Sequence, residues 1–171
     1  VTLVPPAERG QEPARDVSER DLLVSWLDWH RATMVAKCEG LTAAQLGQPS
    51  CPPSELTLLG LVRHLTEIER NYLATWGGIT DLPHYYSDDD PDGDFHLPDP
   101  LTETAVRQAF DTWRAECARS RRIVSESASL DQVNAKGTPL RWVLLYVLRE
   151  YARHNGHADL LRQAIDGTTG E

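Results

Sequence analysis

Near its C-terminal end the chain reads Glu150-Tyr151-Ala152-Arg153-His154-Asn155-Gly156-His157, inside a stretch that otherwise has the spacing of a buried helix. Val143, Val147, Glu150, His154, His157 and Leu161 advance by alternating steps of four and three, so one stripe of an α-helix carries all of them. The first two and the last are core residue types. The middle three are predicted to lie equally deep, yet they are Glu, His and His. A second stretch repeats the pattern: the step from Leu61 to His64 to Ile68 puts His64 on the apolar stripe of another helix.

An unpaired buried carboxylate is strongly unfavourable, and a buried imidazole must at least be hydrogen-bonded. A divalent metal ion held between the two helices satisfies both groups at once. Imidazole nitrogens with a carboxylate suit zinc, nickel, iron or similar ions. Three protein ligands leave positions open for water or substrate, the pattern of a catalytic rather than a structural site. The alternative is a set of hydrogen-bonded core histidines, with Glu150 paired to Arg149 or Arg153 at a helix surface. Spacing alone leaves both readings open.

The elements that position these residues follow from periodicity and punctuation. Residues 1–17 carry three prolines and no sustained period, and read as a flexible N-terminal tail; residues 18–171 read as one domain. Ser18-Glu19-Arg20-Asp21 has capping-box form and opens a helix that reaches about Glu39. Thr42 to Gln45 repeats that form and opens at most a short turn before the breaker run Gln48 to Ser54. A second helix spans about Leu56 to Trp76, with Leu58, Leu61, Val62, Leu65, Ile68 and Tyr72 inward. A long connection, about residues 77–101, then carries the acidic run Asp88 to Asp94. Thr102 caps a third helix to about Ser125, with Ala105, Ala109, Phe110, Trp113 and Cys117 inward. Thr138-Pro139 starts the fourth, with Thr138 as cap, and it stops near Gly167. Four long amphipathic helices and no alternating strand predict an all-α four-helix bundle.

At 171 residues the chain can bury a real core, and its formal charge of -9 argues against nonspecific binding to nucleic acid or anionic membrane. Cys38, Cys51 and Cys117 form no Cys-x-x-Cys and read as reduced structural thiols. No signal peptide and no membrane span is apparent, so the expectation is a soluble, cytoplasmic protein. Exposed apolar faces often pair in small bundles, which leaves a homodimer open.

Residues 55–70 (ELTLLGLVRHLTEIER) and 149–167 (REYARHNGHADLLRQAIDG) closely resemble the DinB-like superfamily of metalloenzymes, in its actinobacterial branch related to mycothiol-dependent maleylpyruvate isomerases. Residues 29–41 and the DDDPDGDFHL and AECARSRRIV stretches add to the resemblance, which spans about residues 20–167. It implies a four-helix bundle with a metal held by one histidine of the second helix and a pair four apart on the last. The matching positions are His64, Glu150 and His154. His157 stands where many relatives have Gln, and its role stays open between ligand, proton carrier and supporting group. The resemblance further implies a divalent metal (zinc or nickel, with iron or manganese as alternatives) and transfer or isomerisation with a small thiol such as mycothiol, bacillithiol or glutathione on an electrophilic substrate. His157 or Glu67 would move protons. A non-catalytic metal-binding or stress-related bundle is the alternative.

Asp88-x-Asp90-x-Asp92-Gly93 with Asp99 has the spacing of a calcium loop, but Pro91 and Pro98 interrupt it, and a solvated acidic loop is the better expectation; a lid bordering the site and weak calcium binding stay open as alternatives. His64-x-x-Glu67 with Glu150 and His154 bears a faint likeness to two-metal bundles, without the required repeat on the other helices. Tryptophans 26, 29, 76, 113 and 142 read mostly as core, with one or two walling a pocket.

Overall fold

Hydroxyl caps set the starts of most helices. In the computed structural model, which describes residues 3–4, 6–7 and 9–169, the side chain of Ser18 accepts from the backbone N–H of Asp21 and opens α1, Glu19–Cys38. Thr42 and Gln45 form a complete capping box on the four-residue α2, Ala43–Leu46. Thr57 caps α3, Leu58–Ile68, and Thr102 caps α4, Glu103–Glu126.

The last helix, α5, Leu140–Asp166, starts differently from the expected threonine cap. Its N-cap is Pro139, with no side-chain hydrogen bond. The first free N–H groups, of Leu140 and Arg141, instead donate to the carbonyls of Gln132 and Leu130, each at 2.9 Å. Thr138 serves a different contact, its carbonyl accepting the indole N–H of Trp76 at 2.8 Å. At the far end Gly167 adopts φ 78°, the left-handed conformation that glycine enters without penalty.

The architecture is the expected all-α bundle: α1 packs mainly on α5, and α3 on both α4 and α5. Among the described residues there is no strand, only an isolated bridge between Val133 and Pro139, and no helix is long and apolar enough to cross a membrane. Met34, Leu61, Leu65, Phe110, Leu144, Val147 and Tyr151 lie in the fully buried centre. Within the segment read as a tail, Val4 is 1 % exposed and joins this core, and Arg9 stacks over Trp29.

Beyond Ile68 the third helix does not continue as α. Residues Glu69–Ala74 form a π-helical segment. The extra residue in the turn rotates the positions after it, so Leu73 is buried and Tyr72, expected inward, is only half-buried. It also turns two charged residues inward. Glu69 is fully buried and takes Arg31 of α1 in a bidentate pair, at 2.9 and 2.7 Å, and the Tyr151 hydroxyl of α5 at 2.8 Å. Arg70 reaches Glu116 of α4 at 3.1 Å and Glu67 at 3.0 Å. Periodicity had no means of flagging these pairs.

Candidate metal centre

α3 and α5 each turn one stripe toward the other. On α3 the stripe is Leu61, His64 and Ile68; on α5 it is Val143, Val147, Glu150 and His154, and it continues to Leu161. His157 departs from the expected equal depth. It is half-buried, while its neighbour Ala158 and the next stripe position, Leu161, are buried.

One donor atom from each of His64, Glu150 and His154 lies within 4.8 Å of the others. Glu150 and His154 are buried and His64 keeps a side-chain exposure of 20 %. The His64 and His154 rings meet edge to face with centroids 4.6 Å apart. Each imidazole has its Nδ1 engaged. Asp94 Oδ2 accepts from His64 Nδ1 at 2.8 Å, and His154 Nδ1 lies 3.2 Å from His157 Nδ1. His154 Nε2 faces Glu150 Oε2 at 3.4 Å. With Nδ1 engaged, Nε2 is the nitrogen each ring keeps for a ligand, the arrangement that ligating histidines take when a carboxylate or another acceptor holds the opposite nitrogen. Arg149 pairs with Glu150 Oε1, and Arg153 Nη1 stands 3.9 Å from Oε2.

Burial, reinforced by the neighbouring His64 and His157, pushes the His154 imidazole down to about 4. It is therefore held as the neutral base, the form that binds metal. The same shift links the residue to stability. In the unfolded chain the imidazole returns to its ordinary value of 6.5, so between 6.5 and about 4 the unfolded state carries more protons than the native one. Metal-free protein is expected to lose thermal stability as pH falls through that window, and His154→Gln to flatten the slope. Thermal melts across the window check this; equal slopes in the two proteins would count against it.

The acidic connection does more than border the site. Asp88 and Asp89 are exposed, but Asp94 is buried against His64, and Phe95 stacks on the His64 ring with centroids 4.8 Å apart. Gly60 allows this approach: a Cβ there would sit 2.9 Å from Thr57 Oγ1 and 3.5 Å from the carbonyl oxygen of Phe95. A glycine inside a helical run was the available signal that another segment comes close. Arg63 adds a clamp, donating to the Gly93 carbonyl at 2.7 Å.

Glu67 stands outside the group of three. Its carboxylate takes Arg70, the backbone N–H of Tyr85 at 2.9 Å and His84 Nδ1 at 2.5 Å, on the side of α3 that meets the connection. The three cysteines are free, and burial raises the Cys38 thiol to about 12 and the Cys117 thiol well above its ordinary value. These two are packed, protonated thiols, and no strong nucleophile of the chain lies in the cluster.

An open cleft of about 630 Å³ leads to the cluster; Ile68, Asn71, Tyr72, Tyr146 and Arg153 line it along with the three donors. That is room for a small organic ligand. The protein is thus an all-helical bundle that gathers two imidazoles and a carboxylate between α3 and α5. The chain matches the mycothiol-S-transferase family over residues 22–167 and belongs to that family. Comparison with curated proteins finds no match.

Proposed function

We propose that this protein is a divalent-metal-dependent transferase that joins the sulfur of mycothiol to an electrophilic small molecule. The carrying observation is the convergence of three donors from two helices, each imidazole with its second nitrogen already engaged. The residues fit a metal: two imidazole nitrogens and one carboxylate suit zinc or nickel, and the cleft reaches them from one side. Iron or manganese are the less favoured occupants. When bound there, a divalent ion lowers the pKa of a coordinated thiol and stabilises the thiolate.

The chain's residues supply the rest. His64, Glu150 and His154 would hold the ion; Asp94 fixes the tautomer and tilt of His64. His154 donates from Nδ1 to His157 Nδ1, which leaves His157 protonated on Nε2 and half-exposed. Of the two residues expected to move protons, His157 is the one beside the cluster. With Nδ1 accepting and Nε2 protonated it has no lone pair for the thiol proton, which in this reading leaves directly to water in the open cleft while His157 holds the His154 ring. The new sulfur–carbon bond forms as the leaving group departs with its electron pair. The net charge of -9 argues against nucleic acid as the partner, and we place the protein in the cytoplasm.

Tag-free protein assayed for metal content, then for mycothiol consumption with an alkyl or aryl halide before and after chelation, tests the reading. Stoichiometric metal and turnover that chelation removes and zinc or nickel restores are expected. Metal-free protein after incubation with all four ions would overturn it, and metal-loaded but inactive protein would leave a binding protein in place of an enzyme.

Asp94→Ala is expected to weaken metal affinity by about 10- to 100-fold, as loss of a group that orients a ligating histidine does. Asp94→Asn keeps an acceptor and should lose less. Competition against a chromophoric chelator measures both; an unchanged affinity in Asp94→Ala would remove Asp94 from the site.

A further inference from the structure

α5 meets α1 along a second stripe, Asn155, Gly156 and Asp159, separate from the one that carries Glu150 and His154. With Trp29, His30 and Lys37 of α1 it walls a pocket of about 420 Å³, which the N-terminal segment closes on a third side and which none of the three metal donors lines. Two buried acceptors in that wall lack donors. Asn155 is 5 % exposed. Its Nδ2 gives one hydrogen to the His30 carbonyl at 3.0 Å and the other to His30 Nδ1 at 3.1 Å. The carbonyl fixes the amide's orientation, since the reverse would set two oxygens face to face. Oδ1 is left buried, with no partner among the described residues. One turn on, Asp159 Oδ1 is in a similar position. Lys37 Nζ lies 2.6 Å away but out of line for a hydrogen bond, and the oxygen is buried without one. Gly156 keeps the space beside them open: a Cβ there would meet nothing within 4 Å. Glycine weakens a helix interior, and neither packing nor a left-handed backbone accounts for it here.

We propose that this pocket is a second binding site, distinct from the metal centre, for a small neutral molecule that carries a primary carboxamide. Buried acceptors without donors are costly, and a ligand that supplies N–H groups removes the cost at both atoms. The two acceptors belong to residues four apart on one helix face, where side chains are neighbours. The two N–H groups of a single amide nitrogen diverge and can reach one each. A hydroxyl brings one hydrogen and a tertiary amide brings none. A cation is the poorer fit, because the Lys37 ammonium, itself buried, already faces the Asp159 charge. The amide carbonyl finds donors in the same walls. His30 accepts from Asn155 at Nδ1, so its ring carries the proton on Nε2, and burial lowers its pKa and keeps the ring neutral. The Lys37 ammonium is the second donor. The volume is that of a site for a small organic ligand. Nothing in this assignment needs a metal or a thiol, so it stands or falls apart from the transferase reading.

The experiment titrates the full chain with three matched probes, benzamide, N,N-dimethylbenzamide and benzoate, followed by nuclear magnetic resonance. Benzamide is expected to bind with a Kd on the order of 1 mM, as a small fragment with a few hydrogen bonds does, and to shift the Asn155 side-chain amide and the Trp29 indole. The dimethyl amide has no N–H, and benzoate exchanges the N–H groups for a negative charge beside Asp159. Both should bind at least about fivefold more weakly. Gly156→Leu puts a side chain into the open space from an exposed position and exchanges glycine for a better helix former, so it should abolish benzamide binding while the protein stays folded. The comparison among probes stands without any variant. Equal affinity for benzamide and its dimethyl form would overturn the site, as would undiminished binding by folded Gly156→Leu. Shifts confined to His64, Phe95 and Tyr146 would place the ligand in the metal cleft instead. No benzamide binding up to about 20 mM would leave the two acceptors to water, and the proposal would fail.

Discussion

His154→Ala, purified without an affinity tag, is expected to carry almost no divalent metal, and its mycothiol turnover to fall at least about 100-fold. The size follows from the position of the residue. His154 contributes one of three donors, lies within reach of both others, and is kept neutral by burial, so its loss removes a ligand that the protein has already prepared for binding. Two remaining donors on different helices are a poor site for zinc or nickel, which take at least three protein ligands in catalytic centres. His157→Ala should behave differently. It removes the partner of His154 Nδ1 and not a donor, so metal is retained at reduced affinity while turnover drops. The pair is read together by elemental analysis and by rate. Far-ultraviolet dichroism establishes that both variants are folded, and His154→Gln, which fills more of the buried volume, guards against a packing artefact. Full metal occupancy in His154→Ala would dismiss the three-residue centre.

The second large effect concerns stability. Arg31→Met is expected to destabilise the protein by about 3–5 kcal/mol, because it strands the fully buried Glu69 carboxylate without its bidentate partner. For a chain of this size that lowers the melting midpoint by on the order of 10 °C. Glu69→Met should do similar harm from the other side, leaving the guanidinium and the Tyr151 hydroxyl short of an acceptor. The double variant is expected to be more stable than either single one, since both charges leave together and Met side chains can fill the space. Denaturant unfolding of the four proteins gives the coupling. Single variants within about 1 kcal/mol of wild type would show that the pair is incidental. The pair matters to the site as well as the fold: Glu69 is one residue past Ile68, and Tyr151 is one past Glu150. The Tyr151 hydroxyl donates to Glu69, which Arg31 anchors, and this ties the end of α3 to α5 beside the donor cluster.

Much of the fold is legible from residue types and spacing alone. The periods of α1, α4 and α5 follow from apolar spacing, and the starts of α1 and α4 from hydroxyl caps. His64, Glu150 and His154 stand out because they are polar residues on apolar stripes. The features that escape such a reading do so for specific reasons. A π segment is one extra residue in a turn and leaves no mark in composition, so periodicity assigns Tyr72 the depth that belongs to Leu73. Glu69, Arg70 and Arg31 look like surface charge until a partner is known, because pairing across helices is a property of packing. Asp94 is one of six aspartates between positions 88 and 99, and nothing local separates the one that folds back onto His64 from those that face water. Thr138 reads as a cap since it precedes a proline, whereas carbonyls from the preceding turn already meet that need.

The π segment also governs how this chain tolerates changes of length. In a regular helix one residue is worth about 100° of rotation, so deleting any residue between Glu69 and Ala74 would restore α-helical phase and swing Glu69 or Arg70 away from its neighbour. A deletion in the exposed stretch around Asp88 and Asp89 moves no buried group directly, and loops absorb such changes at small entropic cost. Within about twenty residues the same genetic event is thus close to neutral in one place and ruinous in another.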